Sequence, residues 1–247
     1  MKRDKRITVK LIFQLIIVGA LISGVIFGYA MTTRNYPVVL MYHLVLDEPY
    51  SDNHSLFVRP LEFEKQLAYL AEEGYNFLFA DQYSACNVKS VILTFDDGYD
   101  DNYSNVLPLL KKFNAKATIF LAADCIGRPG YLAEDQIVEM QQSGLISFGS
   151  HTMSHQDLSS LTNNEIHYEL SNSKAEIERI TGKTVTALSY PYGNCNFTVS
   201  SIAKQYYSVA FVTAGNRFSF NHYHIRRIAV DRDMDIITFR AKVNSAR

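Results

Sequence analysis

The 247-residue chain has no tryptophan, three cysteines, six prolines and twelve glycines. The thiols of Cys86, Cys125 and Cys195 are too few and too widely spaced for a disulfide scaffold, and none forms a CxxC metal pair. They allow one disulfide with an odd thiol left over, or the role we expect for most of them, small buried hydrophobes. No internal repeat, low-complexity tract or long linker interrupts the chain. A basic excess is also absent, with 24 Lys and Arg against 25 Asp and Glu, which excludes a nucleic-acid partner held by phosphate neutralisation. With 47% hydrophobic and 20% charged residues, wholesale disorder is excluded too.

What charge there is lies unevenly. Residues 1–31 carry Lys2, Arg3, Lys5, Arg6 and Lys10 against Asp4 alone, a net of +4, and the remainder has a net of −5. From residue 11 to residue 31 only Gln14 and Ser23 interrupt an apolar run. At about 1.5 Å per residue a helix of that length spans a hydrocarbon layer of roughly 30 Å. The basic cluster before it predicts a cytoplasmic segment 1–10, an anchor 11–31 and an extracytoplasmic domain 32–247 in the cell membrane. A cleaved signal peptide is the competing reading, since Gly28, Tyr29 and Ala30 offer small residues near a cleavage point, and it would make the domain secreted.

Beyond residue 35 short apolar runs alternate with amphipathic stretches. Strands are expected at 38–42, 77–79, 91–95, 117–121, 146–149, 186–189, 208–212 and 227–230, and helices at 62–73, 103–113, 135–143, 164–180 and 199–206. Three of these helices meet a terminating glycine, at Gly74, Gly144 and Gly182. Such alternation implies an α/β fold with a parallel sheet and right-handed crossovers, and seven or eight strands fit a closed or nearly closed barrel. Barrel enzymes carry their chemistry at the carboxyl ends of the strands.

Four strand ends bear reactive side chains. The run 91–95 is followed by Asp96, Asp97 and Gly98; paired carboxylates at the end of a buried strand are costly unless a cation or proton is shared, and neighbouring side chains diverge, so each should have its own task. The strand at 146–149 leads into His151 and His155, whose spacing places them on one face of a helical turn. With a carboxylate from the earlier strand end they compose a three-ligand set with an open position for water, the pattern of catalytic zinc. The glutamate of HExxH is missing, which disfavours a zinc peptidase. A third strand end gives Tyr190, Pro191, Tyr192 and Gly193, a stiff, partly apolar wall whose backbone amides are available; a fourth ends at His43.

The Thr-Phe-Asp-Asp-Gly of 94–98 and the His-Thr-Met-Ser-His of 151–155, in that order, resemble the first two motifs of the polysaccharide deacetylases of carbohydrate esterase family 4, the NodB homology domain. The likeness runs from about Tyr36 to Asp231. Met-Tyr-His at 41–43 and Tyr-Pro-Tyr-Gly at 190–193 are more similar to one branch, the poly-β-1,6-N-acetyl-D-glucosamine N-deacetylases of biofilm matrix systems. The resemblance implies a distorted (β/α)7 barrel, Asp97, His151 and His155 as ligands of a divalent metal (Zn²⁺, with Co²⁺ or Ni²⁺ as alternatives), and Asp96 as catalytic base. The family's RxPY arginine would fall at Ser189 and is absent, as is its late Leu-x-His; the biofilm branch draws its acid from the early motif, hence His43, while Arg226 or Arg227 is left to orient Asp96.

The activity implied is removal of N-acetyl groups from N-acetylglucosamine units of an extracellular polysaccharide, with release of acetate. Poly-N-acetylglucosamine is the expected glycan, peptidoglycan or a chitin-like polymer the alternatives. The backbone N–H of Tyr192 would share the oxyanion charge, and Tyr190 and Pro191 would flank the substrate. Without tryptophan, stacking on sugar rings falls to tyrosines such as Tyr99, Tyr103, Tyr190 and Tyr192. Rival readings are an O-acetyl esterase on acetylated xylan or wall sugars, and an inactive relative that only binds carbohydrate.

Overall fold

The computed structural model describes residues 16–17, 36–48, 56–86, 88–213 and 221–246. The expected anchor and the basic segment before it lie outside the described residues apart from Ile16 and Ile17. Among the described residues no helix is long and apolar enough to cross a membrane.

The apolar runs form β1 (Val38–Tyr42), β2 (Leu44–Val45), β3 (Phe57–Val58), β4 (Asn76–Leu78), β5 (Ser90–Phe95), β6 (Ala117–Leu121), β7 (Ile146–Ser150), β8 (Ala187–Ser189), β9 (Val209–Val212), β10 (Ile225–Arg226) and β11 (Ile228–Ala229). The main sheet is parallel and runs β10-β9-β8-β7-β6-β5-β1-β11, with β4 beside the first half of β5; β2 and β3 pair separately. The strand expected at 227–230 is in fact split. β10 pairs with β9 and β11 with β1, and Arg227 alone joins them. One interrupted strand thus brings the two ends of the path together, giving a nearly closed parallel barrel.

Around it stand α1 (Pro60–Glu72), α2 (Leu107–Phe113, entered through a wide turn at Asn102–Val106), α3 (Glu134–Gln142), α4 (Asn163–Thr181), α5 (Phe197–Ala203) and α6 (Ile236–Ser245). The last was not expected from the sequence. Gly74, Gly144 and Gly182 all have left-handed backbones where α1, α3 and α4 stop, as their positions predict.

Alternation along the strands sorts side chains into two cores. Val39, Ile92, Phe120, Ala187, Val209, Phe211 and Ile225 pack together inside the barrel. Their neighbours, including Leu40, Tyr42, Leu93, Phe95, Ile119 and Leu188, face the helices. Gly149 makes the inner packing possible, because a Cβ there would lie 2.5 Å from the Phe120 ring. On the outer side Tyr42 stacks on Phe95 at 5.1 Å and meets Phe63 edge-on at 5.2 Å, while its hydroxyl donates to Gln66 Oε1 at 2.9 Å. This cluster clamps the carboxyl ends of β1 and β5. All three cysteines are free; they depart from expectation only in being partly exposed rather than buried.

Candidate metal and catalytic centre

Strand register carries the reactive residues to one rim. Tyr42 pairs with Phe95, and the Asp96 N–H donates to Tyr42 O at 3.0 Å, so His43 and Asp96 emerge from adjacent strand ends. Leu121 pairs with Ser150, and the His151 N–H donates to Leu121 O at 2.8 Å. Ser150 also pairs with Leu188, which sets Ser189 beside His151.

After β5 the chain turns sharply. Asp97 has φ 72° and Gly98 φ 79°, and a Cβ on Gly98 would lie 2.5 Å from Leu121 Cδ2, so the turn admits only glycine there. The two carboxylates separate as expected. Asp97 Oδ1 lies 3.3 Å from His151 Nε2 and 3.2 Å from His155 Nε2. His151 Nδ1 is 2.8 Å from the Ser189 carbonyl, which can only accept, so Nδ1 carries the hydrogen and the neutral ring turns the Nε2 lone pair toward Asp97. Asp97 Oδ1 is buried and, among the described residues, has no hydrogen-bond donor. A lone pair facing an orphaned carboxylate oxygen is repulsive unless a cation lies between them. One ligand atom from each of Asp97, His151 and His155 comes within 4.8 Å of the others, and the donor set of two imidazoles and a carboxylate suits a divalent transition metal.

The local charge agrees. Burial alone would lower the His151 pKa, but Asp96 and Asp97 raise it. This negative field calls for positive charge.

The expected helical turn between the histidines does not form. Residues 151–157 are irregular, and Thr152 (φ 68°) and His155 (φ 59°) are left-handed, a conformation that costs a side-chain-bearing residue about 1–3 kcal/mol. The imidazoles converge because this loop doubles back, with the His155 N–H donating to Thr152 Oγ1 at 3.1 Å.

Asp96 is buried and has hydrogen-bond partners of its own. Arg227 Nη1 donates to Oδ1 and Nη2 to Oδ2, both at 2.7 Å, and Ser189 Oγ donates to Oδ2 at 3.2 Å. Arg227 also bonds Thr94 Oγ1 and Ser189 Oγ, whereas Arg226 is exposed on the outer face. Of the two arginines it is therefore Arg227 that orients the carboxylate. Burial would raise the Asp96 pKa, but Arg227, then His151, bring it below the ordinary value. Asp96 Oδ2 lies 4.0 Å from His151 Nε2, at the edge of the candidate metal position. His43 faces the same charges: burial lowers its pKa, with Asp96 and Asp97 opposing. Its segment is clamped from the loop after β5, where Asn102 Nδ2 donates to His43 O at 3.2 Å and the Val45 N–H donates to Asp101 Oδ2 at 2.6 Å.

The 190–193 segment only partly meets expectation. Tyr190 is fully buried and Pro191 is buried, so neither can lie against a sugar face. Tyr190 packs into the outer core because the strand direction carries its ring away from the rim. Tyr192 is different: it is 66% exposed with φ 59°, and its ring meets His155 edge-on at 5.0 Å. Its backbone N–H donates no hydrogen bond among the described residues. Tyr103 turns away from the rim and donates to Glu139 Oε2 at 2.7 Å. Tyr99, next to the Asp97 turn, stacks on Tyr131 at 5.1 Å, a partner that sequence reasoning missed.

Comparison with known proteins gives the family. The sequence profile described as polysaccharide deacetylase matches residues 84–209. YxkH of Bacillus subtilis (strain 168), whose name places it among polysaccharide deacetylases, is 34% identical over 219 residues, covering 85% of this chain and 76% of that protein. The chain belongs to the polysaccharide deacetylase family. It is a hydrolase of the kind that acts on amide bonds. A poly-beta-1,6-N-acetyl-D-glucosamine N-deacetylase of Staphylococcus aureus is 25% identical, covering 81% of this deacetylase and 80% of the relative. The solved Streptococcus pyogenes deacetylase PplD, in complex with acetate, superposes with a TM-score of 0.78 at 28% identity, covering 85% of this chain and 99% of that one.

Proposed function

We propose that this deacetylase removes N-acetyl groups from N-acetylglucosamine units of an extracellular polysaccharide, poly-N-acetylglucosamine before peptidoglycan or a chitin-like glycan, on a barrel of the distorted (β/α)7 type. The observation that carries this reading is a base and a cation site side by side: Asp96, held by Arg227, has one oxygen 4.0 Å from a nitrogen of the Asp97–His151–His155 cluster.

Asp97, His151 and His155 would hold a divalent metal, with Zn²⁺ favoured by the donor set and Co²⁺ or Ni²⁺ as alternatives. When bound, such an ion supplies Lewis acidity toward the acetyl carbonyl and toward water. The remaining work belongs to the chain. Asp96, ionised at neutral pH, takes the proton of the attacking water; its two-point grip by Arg227 fixes which lone pair faces the substrate. The free N–H of Tyr192 donates to the oxygen on which charge develops. An amine is a poor leaving group unless protonated, so the amide nitrogen needs a proton donor, and His43 at the adjacent strand end is our candidate for it. The Tyr192 ring, exposed beside His155, supplies an apolar face for the sugar. The apolar run at 11–31 with its basic flank supports placing the domain outside the cell on a membrane anchor, or secreted if the run is cleaved.

The test is mass spectrometry of poly-β-1,6-N-acetylglucosamine, peptidoglycan, chitin oligomers and O-acetylated xylan after incubation with the full chain and Zn²⁺. The expected result is acetyl loss with free acetate, greatest on the β-1,6 polymer. Acetyl loss only from O-acetylated xylan would make the protein an esterase, and binding without acetyl loss from any glycan an inactive relative.

A further inference from the structure

Glu169 lies in the middle of α4 and is 3% exposed. A buried carboxylate is costly unless donors surround it, and here all of them come from one short stretch of chain. Oε2 accepts the backbone N–H groups of Met153 and Ser154, each at 2.9 Å, and Oε1 accepts the Ser154 hydroxyl at 2.6 Å. Those two residues separate Thr152 from His155, the two left-handed positions of the loop. Four residues further along the same helix, Ser173 shares a hydrogen bond at 2.8 Å with Ser150, whose hydroxyl also accepts the Thr152 N–H at 3.1 Å.

We propose that Glu169 is a positioning residue for the metal: its carboxylate pins Met153 and Ser154 so that the strained loop presents His155 Nε2 toward Asp97 and His151. The inference rests on reading those three residues as metal ligands. The loop has no helical hydrogen bonds of its own; its Thr152 and Met153 carbonyls accept from the Ala123 and Asp124 N–H groups, while its own N–H groups from Thr152 to His155 are all met by side-chain acceptors. Glu169 contributes charge-assisted bonds to two consecutive N–H groups, a task no neutral side chain of that size performs as well. Without them the energy stored at Thr152 and His155 can relax by rotating the loop, and His155 then leaves the cluster. His151 would stay, since β7 and the Ser189 carbonyl fix it independently. The expected defect is therefore weaker metal binding through loss of one ligand.

The experiment measures Zn²⁺ affinity of the full chain by chelator competition, together with the Co²⁺ absorption spectrum, for wild type, Glu169→Gln and Ser154→Ala. The Gln amide keeps the size but removes the charge, and with a single oxygen it cannot accept both the two backbone N–H groups and the Ser154 hydroxyl. Loss of a residue that orients a metal ligand costs about 10–100-fold in affinity. That range is expected for Glu169→Gln, with a smaller loss for Ser154→Ala and a Co²⁺ spectrum altered in both. Affinities and spectra unchanged in both variants would overturn the proposal, and if Glu169→Gln fails to fold, Ser154→Ala decides it. A wild-type chain that binds neither ion would instead overturn the metal reading on which the proposal rests.

Discussion

Arg227 and Asp96 meet through two parallel hydrogen bonds of 2.7 Å although 131 residues separate them in sequence. Arg227 is also the single residue between β10 and β11, so the seam of the barrel and the orientation of the candidate base depend on the same side chain. Both partners are almost completely excluded from water. Breaking a buried pair by removing one member leaves an uncompensated charge and costs about 3–5 kcal/mol.

Arg227→Ala is accordingly expected to lower the unfolding free energy by that order, measured by urea denaturation. It should also change the pH profile. Arg227 keeps the folded pKa of Asp96 below its unfolded value, so the stability this carboxylate adds is present above about pH 4 and is lost as pH falls through the lowered folded value. Without the arginine, burial dominates and the Asp96 pKa rises. The acid limb of kcat/KM should then move to higher pH in any variant that still folds and lacks the charge, such as Arg227→Gln.

His43→Ala is expected to lower kcat on N-acetyl substrates by about 10²–10⁴-fold, the usual worth of a positioned proton donor. An alkoxide leaves more readily than an amine, so an O-acetyl substrate should suffer less. Acetate release from both substrate types, compared within one variant, checks this; equal losses would remove His43 from the role of acid.

Gly149→Ala tests the barrel interior. The added methyl would overlap the Phe120 ring, on which the Arg227 guanidinium lies at 5.8 Å. Overpacking of this kind costs about 1–3 kcal/mol. A lowered melting temperature is expected, with reduced turnover because the ring that must yield also carries the Arg227 guanidinium.

Much of this arrangement was legible in the sequence, and the exceptions have physical causes. Short continuous apolar runs located the inner strands to within a residue or two, since burial on both faces leaves little freedom in composition. Asp97, His151 and His155 could be grouped because each follows a strand that ends at the same rim. The route by which the histidines converge was hidden: spacing of four suggests a helical turn, whereas the loop is shaped by Glu169 and Ser150, acceptors remote or unremarkable in sequence. Arg227 could have been separated from Arg226 by parity, because Ile225 faces the barrel interior and residue 227 shares its side. Tyr190 was misread for the same reason, a strand-end residue taken as rim when its direction is outward. Helix α6 escaped notice because only Phe239 and Val243 along it are buried, although Asp235 caps it by accepting the Thr238 N–H at 2.7 Å.

The account depends on a division of labour between two adjacent carboxylates, and metal content of purified full-length variants tests it directly. Elemental analysis after equilibration with Zn²⁺ should find about one ion per chain in wild type and in Asp96→Asn, the latter without turnover, and none in Asp97→Ala or His151→Ala. Retention of zinc by Asp97→Ala together with its loss from Asp96→Asn would contradict the assignment.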